Sequence, residues 1–112
     1  MDIAEEQSGD ACIVVLKGRL DGTSSAAFTD RIGALIGNRQ SRLLFDFAAV
    51  TLVTSAGLRA LLLVAKRMKA EGGVFALCGV PPAVREVFDI SGFSPLLNIH
   101  GSRSDGLAAV SG

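Results

Sequence analysis

Residues Arg42-Leu43-Leu44-Phe45-Asp46-Phe47, the stretch from Ser55 to Gly72-Gly73, and then Val74-Phe75-Ala76-Leu77-Cys78 decide how this chain folds. The first run is short and mostly apolar, as a strand in the middle of a sheet must be. In the second, Leu58, Leu61, Leu62, Ala65 and Met68 fall on one helical stripe, while Arg59, Lys66 and Arg67 lie off it. The third is again apolar and of strand length. Residues 50–53 read as a loop joining the first strand to the helix.

Working outward, residues 11–17 are a β-branched run of strand length, and residues 3–6 could form an edge strand before the turn Ser8-Gly9-Asp10. Gly18-Arg19-Leu20-Asp21-Gly22 breaks the strand pattern. Thr23 or Ser24 can cap a helix whose apolar positions are Phe28, Ile32, Leu35 and Ile36, ending at Gly37-Asn38. Downstream, Pro81-Pro82 suits a helix start. Val84, Val87, Phe88 and Ile90 are expected to pack that helix inward, and Ser91-Gly92 ends it. Residues 96–99 read as a last short strand or extended segment. The tail 101–112 is rich in Ser and Gly and is expected to be flexible or to add a short helical turn at residues 107–110. Strands alternating with helices imply an α/β fold, a mixed sheet with helices packed against it. The chain reads as a single domain over residues 1–112, with its core at about 3–100.

Composition narrows the function. The 112 residues suit one domain, which can bury roughly two-thirds of its unfolded surface without metal or disulfide support. Lys and Arg number 11 and Asp and Glu number 11, so no excess positive charge favours direct binding to nucleic acid. Cys12 and Cys78 each sit in an apolar run and read as reduced core thiols. The acidic start Met1-Asp2-Ile3-Ala4-Glu5-Glu6 does not resemble a signal peptide, and no apolar run reaches the roughly 18 residues that span a bilayer. The expectation is a cytoplasmic protein without membrane insertion.

Catalytic sets are missing. Catalysis by a nucleophile needs a base nearby, and the sole histidine, His100, lies close to the tail. Asp46 sits inside a buried-looking strand, at its outward end or anchoring a loop. Neither phosphate-cradling glycine pattern occurs, and no carboxylate pair suggests acid–base work. No metal site, cofactor or enzyme activity is expected. Binding fits better than turnover.

Leu52-Val53-Thr54-Ser55-Ala56-Gly57-Leu58-Arg59 stands out. Ser55 precedes the helical stripe, which is the N-cap position, and a capping serine there is common on structural grounds alone. Gly57, however, costs roughly 1 kcal/mol relative to Ala in the first turn, so something must approach the backbone there. Leu63 lies away from the core stripe, among basic neighbours, as a contact residue could. A phosphate on Ser55 would add about −1.5 to −2 charges at a helix N-terminus, where free N–H groups and the macrodipole stabilise an anion.

At these residues the sequence resembles the STAS family, which includes the anti-sigma factor antagonists. Gly18-Arg19-Leu20-Asp21 resembles the family's loop after the second strand, and Leu43-Leu44-Phe45-Asp46-Phe47 its central strand. Thr54-Ser55-Ala56-Gly57-Leu58-Arg59 resembles its switch motif. Gly72-Gly73, Pro82-Ala83-Val84-Arg85 and Phe88-Asp89-Ile90-Ser91-Gly92-Phe93 resemble the later segments. The resemblance implies a mixed sheet of four to five strands flanked by about four helices. It also implies partner switching. The unphosphorylated domain binds an anti-sigma factor, often a serine kinase, and so frees a sigma factor; phosphorylation ends binding, and a PP2C-type phosphatase restores it.

Carried over by position, Ser55 is the phosphorylation site; many members have Asp or Ser immediately before the acceptor, and this chain departs from them with Thr54, a second or alternative acceptor. Ala56 removes a hydroxyl that some members carry. The implied partner surface comprises Asp21, Thr23, Ser24, Thr54, Ser55, Ala56, Gly57, Leu58, Arg59, Leu63 and Phe93, of which Leu58 could be core only. The alternatives are a soluble accessory subunit of a lipid-transporting ABC system and a ligand-sensing module for a nucleotide or lipid. The expected oligomeric state is a monomer or weak dimer.

Overall fold

The computed structural model describes residues 1–111. Strands β1 (Asp2–Ser8) and β2 (Ala11–Leu20) form an antiparallel hairpin, and α1 (Ser25–Gly37), β3 (Arg42–Val53), α2 (Ser55–Ala70), β4 (Val74–Cys78) and α3 (Pro82–Ile90) follow. A single 3₁₀ turn (Ser94–Leu96) leads to β5 (Ile99–His100) and α4 (Arg103–Val110). The five-stranded sheet runs in the order β1-β2-β3-β4-β5, and every pairing after the first is parallel.

That order explains the layers. Each crossover from β2 to β5 steps one strand in the same direction, and crossovers of one hand that step one way keep their helices on one face. Accordingly α1, α2 and α3 cover a single face. The period-2 alternation of the strands sends Cys12, Val14, Leu16, Leu43, Phe45, Phe47 and Leu77 to that face, against Phe28, Ile32, Leu61, Met68, Val84 and Phe88. Phe45 meets Phe28 and Phe47 meets Phe88 with ring centroids near 6 Å, at 6.1 and 6.0 Å.

A parallel sheet must be covered on both faces. The other face presents Ala11, Ile13, Leu44, Ala76 and Cys78, and α4 covers it with Val110, which is fully buried. The tail is therefore helical from Arg103 and extends the core beyond residue 100. Its small residues allow the close fit: a Cβ added at Gly106 would come within 2.5 Å of Leu44 Cδ1. Asp46 fastens the same layer. One carboxylate oxygen accepts from Arg103 Nη2 at 2.7 Å and the other accepts from the Ala48 N–H at 3.0 Å.

Several sequence expectations are corrected. Residues 18–20 continue β2 rather than ending it, because register shifts near Gly18, whose φ is +98°, absorb the irregularity. Residues 50–53 are strand, not loop: they pair with the extended end of β2, Leu20 opposite Val53. Leu96 ends the 3₁₀ turn, Leu97 caps it, and only Ile99 and His100 form the strand that pairs with β4. Ile90 is 78% exposed and does not pack inward, since it lies at the last position of α3, past the sheet.

Candidate functional site

The long strands β2 and β3 carry the site. Their ends project past β4 and deliver two helix starts to one place: α1 after the loop at Asp21 and α2 directly after Val53. The Thr54 N–H donates to the Leu20 carbonyl at 3.0 Å, which locks the two strand ends together.

At α2 the cap is Thr54, one residue earlier than the sequence implied. Its backbone is extended, and Oγ1 accepts from the Gly57 N–H at 3.3 Å. Ser55 is the first helical residue. Its side chain is exposed, and its hydroxyl makes no hydrogen bond among the described residues. The Leu58 N–H donates to the Thr54 carbonyl at 2.8 Å, so the backbone N–H groups of Ser55 and Ala56 are left open at the positive end of the helix.

Gly57 has a clear physical cause. A Cβ there would stand 1.9 Å from the Leu20 carbonyl oxygen and 2.6 Å from its carbon. The group that approaches the helix backbone is thus the end of β2, and Gly57 is buried beneath it. Leu58, 6% exposed, belongs to the main core. Neither can offer a side chain to a partner, which corrects their inclusion in the surface.

The neighbouring loop is organised by Asp21. One carboxylate oxygen accepts from the Thr23 hydroxyl at 2.8 Å, the Thr23 N–H at 3.1 Å and the Ser24 N–H at 3.2 Å. The Thr23 hydroxyl bond, ahead of the Ser24 and Thr23 backbone bonds, holds the Asp21 carboxyl below the usual carboxylate range. Ser24 occupies the N-cap position of α1, yet its hydroxyl bonds backward to the Arg19 carbonyl at 2.8 Å instead of capping. The Ser25 hydroxyl donates to the Asp21 carbonyl. The loop touches α2: a Cβ at Gly22 would lie 3.9 Å from the Ala56 Cβ.

Between the helices runs an open groove of about 360 Å³. Ala56, Arg59, Ala60 and Leu63 of α2 form one wall, and Ser25, Ala26, Thr29 and Asp30 of α1 form the other. Leu63 is 55% exposed there. Phe93 is elsewhere: it sits on the opposite flank of α2, beside Leu62 and Ala65. The α1 wall was absent from the sequence reading. Its signal was that Ala26, Thr29 and Asp30 fall off the buried Phe28–Ile32–Ile36 stripe, but only packing shows which helix they face.

The STAS domain model matches residues 2–106. This chain belongs to the STAS domain family. A Bordetella bronchiseptica protein named as a candidate anti-sigma factor antagonist, BtrV, is 31% identical over 109 residues, covering 97% of this STAS domain and 94% of that protein. A crystal structure of a candidate anti-sigma factor antagonist from Thermotoga maritima superposes with a TM-score of 0.91 at 16% identity, covering 96% of this chain and 93% of that one. The Bacillus cell-fate determinant SpoIIAA in its phosphorylated form superposes at 0.74 with 20% identity, covering 98% and 100%. These structural likenesses establish the five-stranded sheet with four helices as the STAS fold.

Other chemistry is sparse in this STAS domain. Both cysteines are buried and free; burial, reinforced by the nearby Asp46 charge, pushes the Cys78 thiol up to about 11. Burial likewise raises Cys12. Among the described residues no cluster of His, Cys, Asp and Glu could hold a metal ion, and no helix is long and apolar enough to cross a membrane.

Proposed function

We propose that this STAS domain is an anti-sigma factor antagonist that works by partner switching, with Ser55 as the phosphorylated residue. Unphosphorylated, it binds a cytoplasmic anti-sigma factor that is itself a serine kinase, and so frees a sigma factor. Phosphorylation of Ser55 ends binding, and a PP2C-type phosphatase resets the domain. It carries no catalysis of its own.

The observation that carries this reading is the free, exposed Ser55 hydroxyl at the first position of α2, next in sequence to Ala56, which meets Gly22 of the Asp21 loop and lines the α1–α2 groove. Thr54 is the poorer acceptor, because its hydroxyl is engaged as the cap. A phosphate on Ser55 can accept from the open Ser55 and Ala56 N–H groups, so the domain stays folded while a bulky dianion occupies the docking surface. Asp21, Thr23, Ala56, Arg59 and Leu63 form that surface, with Ser24 holding the loop from within. Similarity to BtrV and to a phosphorylated SpoIIAA structure supports the reading.

The test is incubation with the cognate anti-sigma kinase and ATP, followed by mapping of the modified residue by mass spectrometry. The expected outcome is one phosphate on Ser55, none on Ser55→Ala, and binding of the anti-sigma factor at least tenfold weaker for Ser55→Asp. Binding by Ser55→Asp as tight as wild type removes the switch and leaves a fixed contact, as a transporter subunit would have.

A further inference from the structure

On the flank of α2 away from the groove, the main core comes to the surface. Leu62 and Ala65 of α2, Phe75 of β4, and Phe93 and Leu96 of the segment after α3 line a partly open pocket of about 340 Å³. Leu62, Phe75 and Phe93 are half-buried and packed on the core, and Leu96 is 63% exposed at its edge. The volume lies at the lower end of the roughly 300–1,000 Å³ typical of small-molecule sites. It shares no lining residue with the α1–α2 groove.

Two cations complete it. Lys66 and Lys69 line the cavity, and neither makes an ion pair among the described residues. No acidic side chain lines it, and Glu71, the nearest acidic residue along the helix, is occupied by Arg67 at 2.9 Å. An apolar chamber with two unpaired ammonium groups at its rim matches a molecule with an apolar body and an anionic head.

We propose that this cavity binds a free medium-chain fatty acid, its tail on Phe75, Phe93 and Leu96 and its carboxylate between Lys66 and Lys69. Leu96, carried by the short 3₁₀ turn, lines one side, so the site is a small, partly open pocket rather than a long trough for a helix. Binding here is independent of the Ser55 surface.

The test is titration of the full chain with monomeric decanoate, followed by NMR. Saturable shifts confined to Leu62, Ala65, Phe75, Phe93 and Leu96 support the site. Decan-1-ol should bind about tenfold more weakly, and a Lys66→Ala/Lys69→Ala variant should lose a similar factor for decanoate only. Ala65→Phe, which fills the chamber, should abolish binding while Ser55 phosphorylation proceeds unchanged. Equal affinity for decanoate and decan-1-ol overturns the carboxylate role. Shifts centred on Ala56 and Leu63 overturn the location. Binding only to anionic phospholipid vesicles, or only to an acidic amphipathic peptide, overturns the free fatty acid and assigns the lysines to a membrane or a protein.

Discussion

Helices α1 and α2 start side by side, each with a hydroxyl residue at the cap and another at its first position, yet the two starts are opposites. At α1 both hydroxyls are spent: Ser24 bonds to the Arg19 carbonyl and Ser25 to the Asp21 carbonyl. At α2 Thr54 takes the capping duty and Ser55 is left free and exposed. Residue type therefore does not identify an acceptor hydroxyl. What distinguishes Ser55 is that the residue before it caps in its place, while the helix beneath is pinned to the sheet through Gly57.

The pinning is the most breakable part of that contrast. Gly57→Ala places a methyl group against the Leu20 carbonyl, a rigid backbone atom at 1.9 Å. Over-packing of this kind costs typically about 1–3 kcal/mol and here should reach or exceed the top of that range. The expected result is a large fall in the urea midpoint, with Gly33→Ala as a milder comparison, because the neighbour there is the far end of the Arg67 side chain. A Gly57→Ala protein as stable as wild type would show that α2 is not seated on β2.

Next in size is the cap. Thr54→Ala should lose about 1 kcal/mol of unfolding free energy, and Thr54→Ser should recover most of it. The paired substitution Ser24→Ala tests the other helix start: its hydroxyl holds the Arg19 carbonyl and receives the Asp21 N–H, so about 1 kcal/mol should again be lost.

Smaller still is the stability change at Ser55, the proposed acceptor. Ser55→Ala should lie within about 0.5 kcal/mol of wild type, since no bond is removed. Ser55→Asp should be stabilised by roughly 0.3–1 kcal/mol through the helix dipole. Thermal unfolding beside anti-sigma factor binding gives the decisive combination, a domain equally or more stable that binds its partner less well.

The smallest effect is the pH dependence at Asp21. Its carboxyl titrates below the ordinary value, so the folded loop favours the charged form. The associated stability is present above the unfolded carboxylate pKa of about 3.9 and is lost as pH falls through the lower folded value. Asp21→Asn should remove that part of the acid limb. The difference between wild type and variant in urea midpoint should be larger at pH 6 than at pH 3.

Much of the fold could be read from periodicity. The central strand at Arg42, the stripe on α2, the strand Val74–Cys78 and the helix after Pro81 all lie where local pattern and turn chemistry put them. The misreadings have a common cause. Residues 18–20 and 50–53 look irregular one at a time, but each is strand because the other is its partner across a bulged register. The tail carries too little apolar character to announce a helix, and α4 exists because the bare face of the sheet needs a cover.

By itself the sequence determined the middle of β3, the helix α2 that Ser55 opens, β4 and the helix after Pro81, because these follow from the residues within a turn or two of each position. Tertiary structure alone decided that Gly57 answers to Leu20 and that α1 supplies the second wall of the groove. Both depend on atoms far apart in the chain, brought into contact by strand pairing and helix packing, and no local pattern encodes that approach.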